Sequence, residues 1–148
     1  MAAWSDNIRK VEPYVPGEQP QVKDIIKLNT NENPYPPSPG VKKAHEEMEV
    51  SRFALYPDPA AKELVTALES YHGLDAGQGF VGVGSDDVLA LAFLTFFNSD
   101  KPILFPDITY SFYPVWANVY RIPYECPKLT DDFRICPDDY KKENGGVV

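Results

Sequence analysis

The order of apolar and polar positions divides the chain into an irregular opening and a regular remainder. From Glu12 to Pro39 no helical period is sustained, because Pro13, Pro16, Pro20, Pro34, Pro36, Pro37 and Pro39 interrupt it. The exception is Val22 to Leu28, where Ile25, Ile26 and Leu28 predict a short strand or a segment lying along a partner surface. The stretch reads as an arm. Without a core of its own, it needs contacts from its own domain or a second subunit to offset the entropy lost on ordering.

After the arm the signals alternate. Ser38-Pro39 has the form of a helix cap and first position, predicting a helix to about Val50 with Val41, Ala44 and Met48 on one face. Asp58-Pro59 repeats the device and predicts a helix to about His72, striped by Leu64, Ala67, Leu68 and Tyr71 and stopped by Gly73. Phe80 to Val83 is short, apolar and β-prone, and predicts a strand; Ser85 then caps a helix through about Phe97. That helix is apolar on nearly every side from Val88 onward, which predicts a sheet on one face and neighbouring elements on the other. Pro102 and Pro106 enclose Ile103-Leu104-Phe105, a buried strand. Ser111 to Tyr120 predicts a helix, Ile122 to Cys126 a strand made an edge or a bend by Pro123, and Pro137 to Glu143 a short helix.

Helices alternating with short apolar strands define an α/β layer with crossover connections and a mostly parallel sheet. The expected organisation is an N-terminal arm over residues 1–36 and an α/β domain over residues 37–148. Val147-Val148 reads as the opening of a strand, so this domain is expected to be incomplete.

Composition narrows the function classes. The chain has 148 residues, 43% hydrophobic and 24% charged, enough to bury a core of ordinary size. Its net charge of -8 disfavours a nucleic-acid partner. No apolar run approaches the roughly 20 residues of a membrane span, and no signal peptide opens the chain, so a soluble cytoplasmic protein is expected. Cys126 and Cys136 lack histidine partners at metal-ligand spacing and read as reduced thiols.

Several motifs carry candidate chemistry. Gly77-Gln78-Gly79-Phe80-Val81-Gly82 matches GxGxxG but follows a helix instead of opening one, so it reads as a glycine-rich turn. Gly82-Val83-Gly84-Ser85-Asp86-Asp87 stands at the start of the apolar helix, where backbone N–H groups and the Ser85 hydroxyl can receive a phosphate. Ordinary capping explains the same residues, since acids suit a helix's first turn. Pro106-Asp107-Ile108-Thr109-Tyr110 follows the buried strand, placing Tyr110 to lay its ring on a flat ligand or to pack with Phe112, Tyr113 and Trp116. His45 and His72 read as solvated or helix-terminal, and the Asp131-Asp132 and Asp138-Asp139 pairs as caps and loop acids.

Taken together and in order, Tyr14-Val15-Pro16-Gly17-Glu18-Gln19-Pro20, Ile26-Lys27-Leu28-Asn29-Thr30-Asn31-Glu32-Asn33-Pro34, Tyr56-Pro57-Asp58-Pro59, Val83-Gly84-Ser85-Asp86-Asp87 and Phe105-Pro106-Asp107-Ile108-Thr109-Tyr110 give a pattern that resembles the histidinol-phosphate aminotransferases. The resemblance covers essentially the whole chain. It implies the first part of the large αβα domain of a fold-type I transferase dependent on pyridoxal 5'-phosphate, acting as a homodimer in histidine biosynthesis on a small phosphorylated amino alcohol. It further implies that Gly84, Ser85 and Asp86 hold the cofactor phosphate, that Tyr110 stacks on the pyridine ring, and that Tyr56 reaches the phosphate bound by the neighbouring subunit. Tyr14 and Asn31 would line the substrate site. The family's cofactor-bonding lysine, its partner for the pyridine nitrogen and its carboxylate-binding arginine are expected beyond Val148, so these residues alone are expected not to turn over. An aminotransferase for aromatic or other amino acids, and a non-catalytic binding or assembly module, are the other readings.

Overall fold

The computed structural model describes residues 3–12, 17–18, 20–22 and 24–148. The chain forms two compact units, one of Val15–Gly79 and one combining Met1–Tyr14 with Phe80–Val148.

The first unit contains helices α1 (Pro39–Glu46) and α2 (Lys62–His72). Ser38 and Pro39 open α1 as expected, but the helix stops at Glu46 and a 3-10 turn occupies Val50–Ala54. Glu46, Glu47 and Glu49 crowd the helix's negative end, where anionic side chains are unfavourable. Val41, Ala44 and Met48 remain exposed. No strand forms among the described residues of Val22 to Leu28, and Ile26 and Leu28 are exposed.

Asp58 does cap α2, yet from a distance. Its carboxylate accepts the Ala60 N–H at 3.0 Å and the Lys62 N–H at 2.7 Å, so residues 58–61 form a turn and the helix starts at Lys62. These N–H bonds, that of Lys62 first, hold the Asp58 carboxyl below its ordinary value. A depressed acid stabilises fully above the unfolded-chain value and loses that contribution as pH falls through the lower folded one. We therefore expect amide exchange at Lys62 to quicken from about pH 4 downward relative to neighbouring α2 amides. Asp58→Ala should abolish that pH dependence.

Gly73 ends α2 as expected, and the Leu74 N–H closes the turn on the Glu69 carbonyl at 2.9 Å. The predicted stripe is not what α2 buries. Leu64, Leu68 and Tyr71 stay exposed, whereas Glu69 is only 7% exposed. Its Oε1 accepts the N–H groups of Gly77 at 2.9 Å and Gly79 at 2.8 Å, which makes the GxGxxG-like segment a latched turn.

The second unit holds α3 (Gly84–Phe96), β1 (Ile103–Leu104), α4 (Phe112–Tyr120), β2 (Tyr124–Glu125) and β3 (Gly146–Val147). The strands lie in the order β2-β1-β3, all parallel, with Ile103 opposite Tyr124 and Gly146. The sheet and its helical crossover are the α/β layer expected. β2 is shorter than Ile122 to Cys126 and sits at an edge, consistent with Pro123, whose carbonyl accepts the Ile103 N–H at 2.9 Å. Pro137–Tyr140 is a 3-10 turn instead of a helix reaching Glu143.

Phe93, Ile103, Phe105, Ala117 and Ile122 make the core, with Phe97, Tyr113, Trp116, Tyr120 and Tyr124 packed around it. Strand β1 is buried because it is central and covered by α3 and α4 side chains. Helix α3 buries Ala90 and Phe93 but leaves Leu91, Leu94 and Phe96 exposed, so among the described residues it is covered on one side, not all round. Arg9 Nε donates to the Val119 carbonyl at 3.1 Å, tying the N-terminal residues to α4.

Phe80 to Val83 does not form the expected strand. A strand exists only through a ladder, and β1 already has both its neighbours in β2 and β3. The segment instead leads, without regular structure, into a tight turn in which the Gly84 N–H donates to the Gly82 carbonyl at 2.9 Å.

Candidate functional site

Two loops of the second unit converge. The first is the Gly82-Val83-Gly84 turn entering α3. Val83, not Ser85, takes the cap position, and Ser85 lies inside the first turn. The capping role passes to Asp87, whose Oδ2 accepts the Val83 N–H at 3.0 Å. A Cβ at position 82 would stand 2.6 Å from that same oxygen, so a side chain there would have to displace the Asp87 carboxylate. Gly84 has φ 83°, in the left-handed region, and apart from its chain neighbours and the backbone of its own helix no atom lies within 4 Å of where its Cβ would be. The approach to the helix start is therefore open on the glycine side.

The second loop leaves the buried end of β1. The Asp107 N–H donates to the Pro127 carbonyl at 3.1 Å, and Asp107 Oδ1 accepts the Leu129 N–H at 2.9 Å, so the loop is pinned to the segment after β2. Tyr110 follows with 43% of its surface exposed. Its ring meets Phe112 at 5.6 Å and, edge-on, Tyr113 at 5.8 Å; Tyr113 in turn contacts Phe93 and Phe105. The packing role weighed for Tyr110 is thus present, and an accessible part of the residue remains as well.

A hydrogen bond joins the loops: the Tyr110 hydroxyl donates to Asp86 Oδ1 at 2.7 Å. With Asp87 accepting from Val83, both acids behind Ser85 face protein donors. Nothing in the sequence marks the acid-to-tyrosine bond, because two acids in a helix's first turn suit the helix field equally well without it.

The arrangement suits a phosphate ester carrying a flat ring. The first-turn N–H groups of a helix have no intrahelical acceptor, the exposed Ser85 adds a hydroxyl, and Gly84 leaves room. Of the other residues singled out, Asn31 and Tyr56 belong to the Val15–Gly79 unit and are exposed, Asn31 with φ 52°. Tyr14 lies outside the described residues. Among those described, no three His, Cys, Asp or Glu side chains group as a cation site, and no helix is long and apolar enough to cross a membrane. Partial burial, then the charge of Asp107, pushes the Cys126 thiol up, away from a reactive thiolate.

The chain belongs to the class I and II aminotransferase family, whose sequence profile matches residues 23–144. Dependence on pyridoxal 5'-phosphate goes with that family. Along 99% of its length the chain is 53% identical to the histidinol-phosphate aminotransferase of Lactococcus lactis subsp. cremoris, covering 41% of that protein. It is likewise 53% identical to histidinol-phosphate aminotransferase 1 of Hydrogenovibrio crunogenus, over 98% of this chain and 41% of the relative. With the enzyme of Clostridium beijerinckii the identity is 50%, over 98% and 40% respectively. The chain thus spans about two fifths of the length of the curated relatives it matches.

Proposed function

We propose that the chain carries the phosphate-holding and ring-facing part of an enzyme that exchanges an amino group between L-histidinol phosphate and 2-oxoglutarate, giving imidazole-acetol phosphate and L-glutamate. The observation that carries this reading is the joining of the Gly84 turn to the Tyr110 loop beside the sheet. The 53% identity to histidinol-phosphate aminotransferases, over about two fifths of their length, supports the choice of donor.

Ser85 Oγ and the first-turn N–H groups of α3 that follow Gly84 would hold the cofactor phosphate, with Gly84 admitting it and Tyr110 offering a ring face. Bound pyridoxal 5'-phosphate supplies an electron-accepting ring that takes up charge when the donor's Cα proton leaves. Tyr56 would serve the phosphate site of a second copy in a homodimer, and Tyr14 and Asn31 would line the substrate site. The lysine that bonds the cofactor is, in this reading, none of the ten present. Lys101, next to β1, precedes the strand, opposite the end that leads to Tyr110, and pairs with Glu143 at 2.8 Å.

The complete protein, given histidinol phosphate and phenylalanine as competing donors, should prefer histidinol phosphate; a large preference for phenylalanine would overturn the assignment. Ser85→Ala should weaken cofactor binding by about 1.5–3 kcal/mol, the worth of a hydrogen bond to a charged partner. Tyr110→Ala should weaken it by about 1 kcal/mol beyond the loss of buried area. Equilibrium dialysis with absorbance detection checks both, and unchanged affinity in the two variants would return these residues to capping and packing.

A further inference from the structure

Asp86 poses a question that the phosphate site alone does not answer. A carboxylate in the first turn of α3 is favoured by the helix field, but beside a phosphate it repels the group the turn is shaped to receive. Its neighbour Asp87 has a local task, accepting the Val83 N–H at 3.0 Å. Asp86 instead reaches across 24 residues of sequence to another loop and accepts the Tyr110 hydroxyl at 2.7 Å.

We propose that Asp86 is a positioning residue that acts through Tyr110, holding the phenol end so that the ring keeps one pose toward the cofactor. The proposal rests on the reading of Tyr110 as the ring-facing residue. Phe112 at 5.6 Å and Tyr113 at 5.8 Å bound the ring by apolar contact, which restrains its plane. The hydroxyl bond to a carboxylate is short and directional, and it originates on a helix whose start is itself fixed by the bond from Val83 to Asp87. Ring and phosphate nest are thereby tied to one rigid element. Holding a side chain that is 43% exposed in one pose before the cofactor arrives lowers the ordering cost of binding.

The test compares D86N with D86A in the complete cofactor-loaded protein, each with Tyr110 and with Y110F. Both substitutions remove the charge beside the phosphate, and only asparagine keeps an acceptor for the hydroxyl. Two quantities are read: the pyridoxal 5'-phosphate dissociation constant and the visible circular dichroism of the bound cofactor, which follows the asymmetry of its surroundings. With Tyr110 present, D86A should bind the cofactor about three- to tenfold more weakly than D86N, the range of one net hydrogen bond, with an altered dichroism band. With Y110F the two should coincide, because the acceptor has lost its donor. A gap that persists in Y110F overturns the proposal, since the acid would then act through the helix start alone. Equality of D86N and D86A with Tyr110 present overturns it too. Tyr110→Ala separates the two levels: unchanged cofactor affinity removes the ring contact and the proposal together, whereas weakened affinity without the D86N to D86A gap removes only the part assigned to Asp86.

Discussion

Truncating Phe93 to alanine is expected to destabilise the unit around the sheet by about 3–5 kcal/mol, the range for a large buried aromatic. Phe93 is fully buried and is where α3 meets the rest of its unit, with Phe97 at 5.6 Å and Tyr113 at 5.9 Å. The sheet is only three short strands, and Ile103 and Phe105 share the core cluster with Phe93. A cavity there is lined by residues already committed to the strand ladder, so little collapse can refill it. Hydrogen exchange at the Ile103 and Phe105 amides, which donate to Pro123 and Glu125, reports the loss directly. Phe93→Leu should recover a large part of it, and full protection of these amides in Phe93→Ala would contradict the assignment of Phe93 to the core.

The second large effect belongs to a charged residue. Glu69→Ala should leave the Gly77 and Gly79 N–H groups without their acceptor, at roughly 1–3 kcal/mol for the half-buried Gly79 and about 0.5–1.5 kcal/mol for the exposed Gly77, whose N–H water can reach. Gly79 is also packed closely enough on Glu69 that a Cβ there would lie 3.0 Å from the Glu69 Cγ, so the turn and the side chain fit as a pair. Glu69→Gln keeps a carbonyl acceptor of the same length and should restore much of the loss. Exchange rates of the Gly77 and Gly79 amides are the measurement. Equal acceleration in both variants would assign the latch to the charge of Glu69 and not to its acceptor geometry.

Glu69 also shows where sequence periodicity stops being informative. Leu64, Ala67, Leu68 and Tyr71 form a sound helical stripe, and the helix they predict exists, yet the residue that α2 buries is Glu69. Periodicity reports which residues share a face. Whether that face is covered depends on what else arrives there, and on which backbone donors are left in need of an acceptor. The same holds for Phe80 to Val83, whose β-prone composition is real but whose ladder partner was never a property of those four residues.

The elements legible in the sequence are those whose causes are local. Ser38-Pro39 opens α1, Gly73 closes α2, the apolar run from Val88 makes α3, and Ile103-Leu104 between two prolines makes the buried strand, because dihedral preference and side-chain capping act within a few residues. The sequence also carried the ordered set of motifs that marks the aminotransferase family. The pairings come from the packed fold: Asp87 and not Ser85 secures the start of α3, Glu69 closes the glycine turn, and Asp86 and Tyr110 meet across two loops. A hydrogen bond or a buried contact is a property of two groups at one place, and Asp86 and Tyr110 share a place because α3 and β1 pack together through Phe93.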